Sequence, residues 1–210
     1  MKKHNLLSMG LGAAILMSAA APASAGEFYL GGEMGWTDVN FETTTTSFEE
    51  SGLGASGFSG SALAGYQVAI PSGILGFEVN VGDSSAEYEA TSDTYQETIT
   101  RDVSYGISAM LGTNLSDNTH LYGRLGYQAT SMELTARQAG TGVVEEFSKD
   151  KTYTGARVGA GIQTAVTDDL SVRLEWTRTI YSEETLAYNG SEVDVQPGES
   201  RAAIGILGRF

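Results

Sequence analysis

Residues 200–210 read Ser200-Arg201-Ala202-Ala203-Ile204-Gly205-Ile206-Leu207-Gly208-Arg209-Phe210, and their alternation decides the fold. Successive strand side chains face opposite ways, so Ala202, Ile204, Ile206, Gly208 and Phe210 share one face while Arg201, Ala203, Gly205, Leu207 and Arg209 share the other. One face is apolar and uncharged; the other carries two arginines. A soluble sandwich would bury the apolar face, but this stretch stops on an aromatic with no covering element after it. The expectation is lipid outside and a polar lumen inside.

The same division recurs seven times upstream, at residues 28–39, 58–69, 75–82, 103–115, 121–130, 156–163 and 170–180, always with period two rather than 3.6. In the first of these Phe28, Leu30, Met34 and Trp36 oppose Tyr29, Gly31, Glu33 and Gly35. In the seventh Leu170, Val172, Leu174 and Trp176 oppose Ser171, Arg173 and Glu175. Polar stretches at 41–57, 83–100, 135–151 and 182–199 alternate with short turns at 70–73, 116–119 and 168–169. Pro71 and Gly73 suit the first of those turns. Long and short connections in strict alternation predict an all-β, eight-stranded antiparallel up-and-down transmembrane barrel with short periplasmic turns and long external loops. Length agrees: eight strands allow about 23 residues for a strand and its connection, whereas sixteen would leave about 12, barely one spanning strand.

The first 25 residues read as a secretory signal, with Lys2 and Lys3, an apolar run from Leu6 to Met17, and Ala23-Ser24-Ala25 before Gly26. The apolar run is shorter than the roughly 20 residues of a spanning helix, so cleavage after Ala25 is expected, leaving residues 26–210 as one barrel domain. The chain has 210 residues and a formal charge of −14, which becomes −16 without Lys2 and Lys3. That balance excludes nucleic acid as a partner, since phosphates need a basic stripe. There is no Cys, which removes disulfides, thiolate chemistry and zinc–thiolate sites together.

The whole mature chain resembles the small eight-stranded outer-membrane barrels of the OmpA/OmpX type, the outer membrane protein β-barrel domain. The residues that carry the resemblance are Gly65-Tyr66, the run from Leu121 to Tyr127, Gly155 to Gly161, the run from Leu170 to Trp176, and terminal Phe210. The resemblance implies a Gram-negative outer-membrane location. It also implies contact with lipid and lipopolysaccharide, and delivery by periplasmic chaperones to the barrel-assembly machinery. Ile204, Ile206 and Phe210 would form the assembly signal, with Gly208 where a larger apolar residue is usual and Ala203 where a polar one is. Ending at Phe210, the chain is expected to lack the peptidoglycan-binding domain of longer relatives and to act as a monomer.

Parity then assigns the charges. Arg124, Arg157, Arg173, Arg201 and Arg209 face inward, as do Glu33, Glu78 and Glu175. An eight-stranded bore is just wide enough for side chains to fill, and a lone charge there would cost several kcal/mol. The expectation is a mixed network of Glu33, Glu78, Arg124, Arg157, Arg173, Glu175 and Arg201 filling the lumen, with Arg201 meeting Glu33 across the closing seam. A gated ion path through the same residues is the alternative. A secreted lipocalin-like barrel would need an apolar interior, contrary to this set. Outward Trp36, Tyr66, Phe77, Tyr127, Trp176 and Phe210 read as interfacial girdle residues. Sixteen of the 26 acidic residues fall in the polar stretches, among them Asp83, Asp150 and Glu199, and Glu133 comes just before the third. They read as a solvated surface, with divalent-cation or ligand binding as the functional alternative. Tyr88, Tyr95 and Tyr188 are the candidates for a sugar platform.

Enzymes among similar barrels need a His near the external rim. His4 leaves with the signal and His120 follows a periplasmic turn, so no catalytic residue, metal or cofactor is expected. Gly155-x-x-x-Gly159-x-Gly161 lacks the Lys-Ser/Thr of a phosphate loop. The function expected is a non-enzymatic barrel with an envelope-structural or surface-interaction role. A small porin-like channel or an adhesin-like module with acidic external loops stands as the alternative.

Overall fold

Alternation of small or polar residues with large apolar ones gives ten strand segments in the computed structural model: β1 Gly26–Thr45, β2 Phe48–Ile70, β3 Gly73–Ser84, β4 Glu87–Ser92, β5 Tyr95–Ser116, β6 Thr119–Gly140, β7 Val143–Ala165, β8 Leu170–Tyr181, β9 Glu184–Tyr188 and β10 Ser191–Arg209. The structure describes residues 26–45, 48–92, 95–140, 143–188 and 191–210. The expected signal and its cleavage point after Ala25 lie outside the described residues. Segment β4 continues along β5 the wall strand that β3 begins, and β9 does the same along β10 for β8. Eight antiparallel wall strands result.

The wall closes on itself. On one edge β1 pairs with β2 from Gly26↔Val68 to Thr45↔Phe48; on the other it pairs with β10 from Tyr29↔Arg209 to Thr44↔Asp194. Closure leaves no sheet edge, which is what hydrocarbon demands of a β-structure that spans it.

The faces divide inside out relative to a soluble protein. Met34, Phe58 and Leu125 are 69%, 72% and 65% exposed, whereas Glu78 and Arg173 are 2% and 1% exposed. Apolar side chains thus cover the outer surface, and the charges are enclosed. The lumen is layered: Tyr29, Leu63, Ile74, Met110, Tyr122 and Leu207 cluster toward the short-turn end. Val39, Ala55, Ala86, Met132 and Tyr181 cluster toward the external end. The charges around Glu78 and Glu33 lie between these apolar layers, whereas Arg101 and Glu199 sit among the outer one, opposite Met132 and Val39.

The stretches expected as long loops are mostly ladder. Residues 41–57 pair as Phe41↔Leu53 through Thr45↔Phe48, and residues 135–151 pair as Thr135↔Ser148 through Gly140↔Val143. Outside the membrane both faces of a strand are wet, so the period-two signal fades although the backbone pairing, once begun, continues outward. The external connections are therefore β-ribbons that prolong the wall. One irregularity matters for the site: the β5–β6 register shifts between Arg101 and Ser104, a bulge that brings Arg101 onto the inner face that Ser104 already occupies.

Inward glycines make room for the buried tyrosines. A Cβ on Gly65 would overlap the Tyr29 phenol, and one on Gly161 would overlap that of Tyr122. Gly161→Val is expected to destabilise the barrel by roughly 1–3 kcal/mol or more through overpacking. A lower urea midpoint for the gel-mobility shift between folded and unfolded protein would show it; an unchanged midpoint would contradict this packing.

Candidate functional site

The centre of the lumen is held by Glu78 on β3. Its Oε1 accepts 2.7 Å from Arg124 Nη2 of β6, and its Oε2 accepts 2.6 Å from Arg173 Nη1 of β8 and 2.9 Å from the Tyr29 hydroxyl of β1. Four strands around the circumference therefore meet on one carboxylate. Arg124 Nη2 also lies 2.8 Å from Glu175 Oε2, which the Tyr122 hydroxyl reaches at 2.6 Å. The Arg173 guanidinium sits between the Tyr29 and Tyr122 rings, 5.6 and 5.4 Å from their centroids, a cation–π geometry strengthened by the burial of all three side chains.

Across the seam Arg201 Nη1 donates to Glu33 Oε2 at 2.9 Å, while its Nε and Nη2 donate to Ser59 and Ser61 of β2 at 3.0 and 3.1 Å. The other Glu33 oxygen is 3.5 Å from Arg173 Nη1, within ion-pair range but without hydrogen-bond geometry. Arg157 stands apart. It donates only to neutral oxygens: Gln128 Oε1 at 2.8 Å, Asn80 Oδ1 at 3.3 Å and Thr177 Oγ1 at 3.3 Å. Arg209, also inward by parity, reaches Glu27 at 3.4 Å and the Thr167 carbonyl at 3.0 Å at the short-turn end.

A second charge site lies above the first, and the parity assignment did not include it. Arg101 donates to Glu199 through Nε at 2.9 Å and Nη2 at 3.0 Å, a bidentate fork. Tyr181 donates to the same carboxylate at 2.8 Å and meets Thr130 at 2.7 Å. Glu199, grouped by its sequence surroundings with the solvated acids, is 1% exposed. The structure corrects that grouping, because the ribbon carries Glu199 into the wall on the face of Arg201. The alternation with Arg201 was the available signal. Arg101 gave none, because its inward aim depends on the bulge.

The aromatic residues fall into two groups on the outer face. Phe28, Tyr66 and Phe77 are direct neighbours across β1, β2 and β3, and the Phe210 amide donates to the Phe28 carbonyl at 2.8 Å. Further along the wall Trp36 meets Phe58 edge-on at 5.0 Å, and both Trp36 and Trp176 pair with Ala202 of β10. Tyr127 lies opposite Ile107 and Ala156. Ile204 and Ile206 lie on the outer face at 48% and 58% exposure. The side chains of Tyr88, Tyr95 and Tyr188 lie outside the described residues. His120 sits beside the periplasmic turn, its Nδ1 2.7 Å from Asn114 Oδ1. The carboxylates of Asp102, Glu133 and Asp150 on β5, β6 and β7 approach within 4.8 Å of one another, a set of oxygens that could take a divalent cation.

The family model described as outer membrane protein beta-barrel domain matches residues 9–197. Outer membrane protein A of Klebsiella pneumoniae is 27% identical over 210 residues, which is 94% of this chain and 54% of that protein. The chain thus spans about half the length of that curated relative. The crystal structure of a major outer membrane protein from Thermus thermophilus matches with TM-score 0.57 at 11% identity, over 89% of this chain and 100% of that one. Neisserial surface protein A matches with TM-score 0.46 at 18% identity, over 89% and 100%.

Breaking one side of the Arg101 and Glu199 pair leaves a buried uncompensated charge. Glu199→Gln is expected to cost about 3–5 kcal/mol. Removing both charges together, Arg101→Met with Glu199→Leu, should recover most of that loss, as measured by urea unfolding. A double variant no better than the single one would refute the pairing.

Proposed function

The chain belongs to the outer membrane protein beta-barrel domain family, and from that premise we propose that it is a non-enzymatic, monomeric wall element of the outer membrane whose lumen is plugged by its own side chains. The location in the outer membrane follows from the family. The plug is supported by one observation above the rest: Glu78 gathers Arg124, Arg173 and Tyr29 from three other strands. Such a tie crosses the bore instead of lining it, and an eight-stranded barrel has little room beside it. Opening a path would require separating ion pairs away from bulk water, at several kcal/mol for each charge exposed to a low dielectric.

The external β-ribbons give this element its second role, surface interaction. They carry the wall past the aromatic girdle and concentrate the acidic residues where lipopolysaccharide, cations or a ligand would be met. Lipid and lipopolysaccharide are the partners of the outer face, and export begins with the segment removed after Ala25. Periplasmic chaperones and the assembly machinery are the partners of the unfolded chain, with Ile204, Ile206 and Phe210 as the signal on β10. In support of the non-enzymatic reading, His120 pairs with Asn114 beside a periplasmic turn, away from the external rim.

Planar-bilayer recording tests the plug. The protein is expected to show no stable open level, and Glu78→Ala to introduce frequent conductance events by releasing Arg124 and Arg173. A stable conductance in the unaltered protein that Glu33→Ala or Arg201→Ala abolishes would overturn the plug and establish a gated pore.

A further inference from the structure

Among the described side chains one arginine stands on the lipid face. Along β8, Arg173, Glu175, Thr177 and Thr179 are enclosed, and Arg178 falls between the outward Trp176 and Ile180. Its Nη1 donates to Ser200 Oγ of β10 at 3.0 Å. Its Nη2 lies where a Cβ on Gly198 would be, so the guanidinium rests on bare β10 backbone. Gly198 pairs with Ile180 and Ser200 with Arg178, so the side chain leans toward the external end of the wall. Among the described residues Arg178 makes no ion pair, and Ser200 is its one hydrogen-bond partner. Asp38 faces outward opposite Ser200, one strand further round on β1, and bounds the site on that side.

A lone arginine near the interface could simply reach for water, but the wall beneath it is shaped as well. One step toward the membrane centre a shallow apolar groove of about 600 Å³ runs over the outer face, lined by Met34, Ala160, Leu174, Trp176, Ala202 and Ile204. Ala202 pairs with Trp36 on one side and Trp176 on the other, so a small residue forms a floor between two indoles. Arg178 and Ser200 are the next outward positions beyond Trp176 and Ala202. A charged fork with unused donors thus stands at the external end of a groove open to hydrocarbon. That arrangement suits a molecule with an anionic head and an apolar tail, and a guanidinium fork matches phosphate in particular.

We propose that Arg178, Ser200 and the groove over Ala202 bind one lipid A moiety of lipopolysaccharide, with a phosphate on the guanidinium and an acyl chain between Trp36 and Trp176. The choice of lipid rests on the outer-membrane reading above, which makes lipopolysaccharide the phosphorylated lipid of the external leaflet. In a chain of formal charge −14, whose acidic residues repel phosphate elsewhere on the surface, this arginine fixes where the contact is made.

Trp36 and Trp176 are the only tryptophans of the chain, so indole fluorescence reads the groove directly. The protein is reconstituted in phosphatidylcholine vesicles and titrated with lipid A whose acyl chains carry bromine, a contact quencher, in diphosphorylated and phosphate-free forms. Quenching is expected to saturate with the diphosphorylated form and to need about tenfold more of the phosphate-free form or beyond, the loss of a charge-assisted hydrogen bond. Arg178→Gln should remove that preference. Ala202→Leu, which fills the floor, should weaken quenching by both forms. The heat-dependent gel shift shows whether each variant has folded, and the comparison of the two lipids on the unaltered protein needs neither variant. Equal quenching by the two forms in the unaltered protein would overturn the proposal, as would an undiminished preference in folded Arg178→Gln. Brominated phosphatidylethanolamine that quenches as well as diphosphorylated lipid A would overturn it too. These failures leave the wall reading standing, whereas failure of the protein to enter vesicles would overturn both.

Discussion

In hydrocarbon an unpaired backbone N–H or C=O has no water to turn to, so β1 must find β10, and the register of that seam decides what faces what. Because Glu33 lies opposite Gly205 and Thr37 opposite Arg201, the Arg201 side chain crosses toward Glu33 on the inner face while Met34 and Ile204 meet on the outer one. A slip of one residue would turn Arg201 to lipid and Ile204 to the lumen. The closing pair is therefore held by both faces at once: charge on the inside and apolar surface on the outside.

Closure at eight strands then sets the bore, and the bore sets the chemistry. The space suits side chains and little else, so each large inward residue is matched by a small one nearby: Gly65 under Tyr29, Gly161 under Tyr122, Gly205 beside Glu33. Buried ion pairs add little net stability over a well-packed apolar core, and they become costly when one partner is lost. Their effect here is mutual dependence. Glu78 joins β3 to β1, β6 and β8, Glu199 joins β10 to β5 and β8, and none of these strands can leave without stranding a charge. The apolar layers above and below exclude solvent from the middle, which strengthens every contact there.

How much of this is legible in the residues varies with depth in the membrane. Along the spanning segments the lipid and the lumen impose opposite demands on alternate residues, so the faces of Leu30, Met34 and Trp36 against Tyr29 and Glu33 can be read directly. Beyond the membrane both faces are wet, the alternation lapses, and residues 41–57 and 135–151 look like loops although they are paired ladders. Glu199 was legible through its alternation with Arg201 but was obscured by the polar run around it. Arg101 was not legible, because simple parity from Val103 and Tyr105 sends it outward and only the bulge before Ser104 brings it in.

The sequence by itself determined the class of structure: period-two alternation, an apolar outer face, arginines and glutamates of common parity, and long connections alternating with short ones. These are local properties, imposed on each strand by its two surroundings, and they survive in a linear string. Only the tertiary structure decided which carboxylate each arginine meets, that Arg101 and Glu199 form a second site, and that Arg157 is left with neutral partners. Such pairings join residues up to 182 positions apart in the chain, as Glu27 and Arg209 show. They depend on register, bulges and side-chain reach across a closed bore, none of which is encoded in the alternation of any single strand.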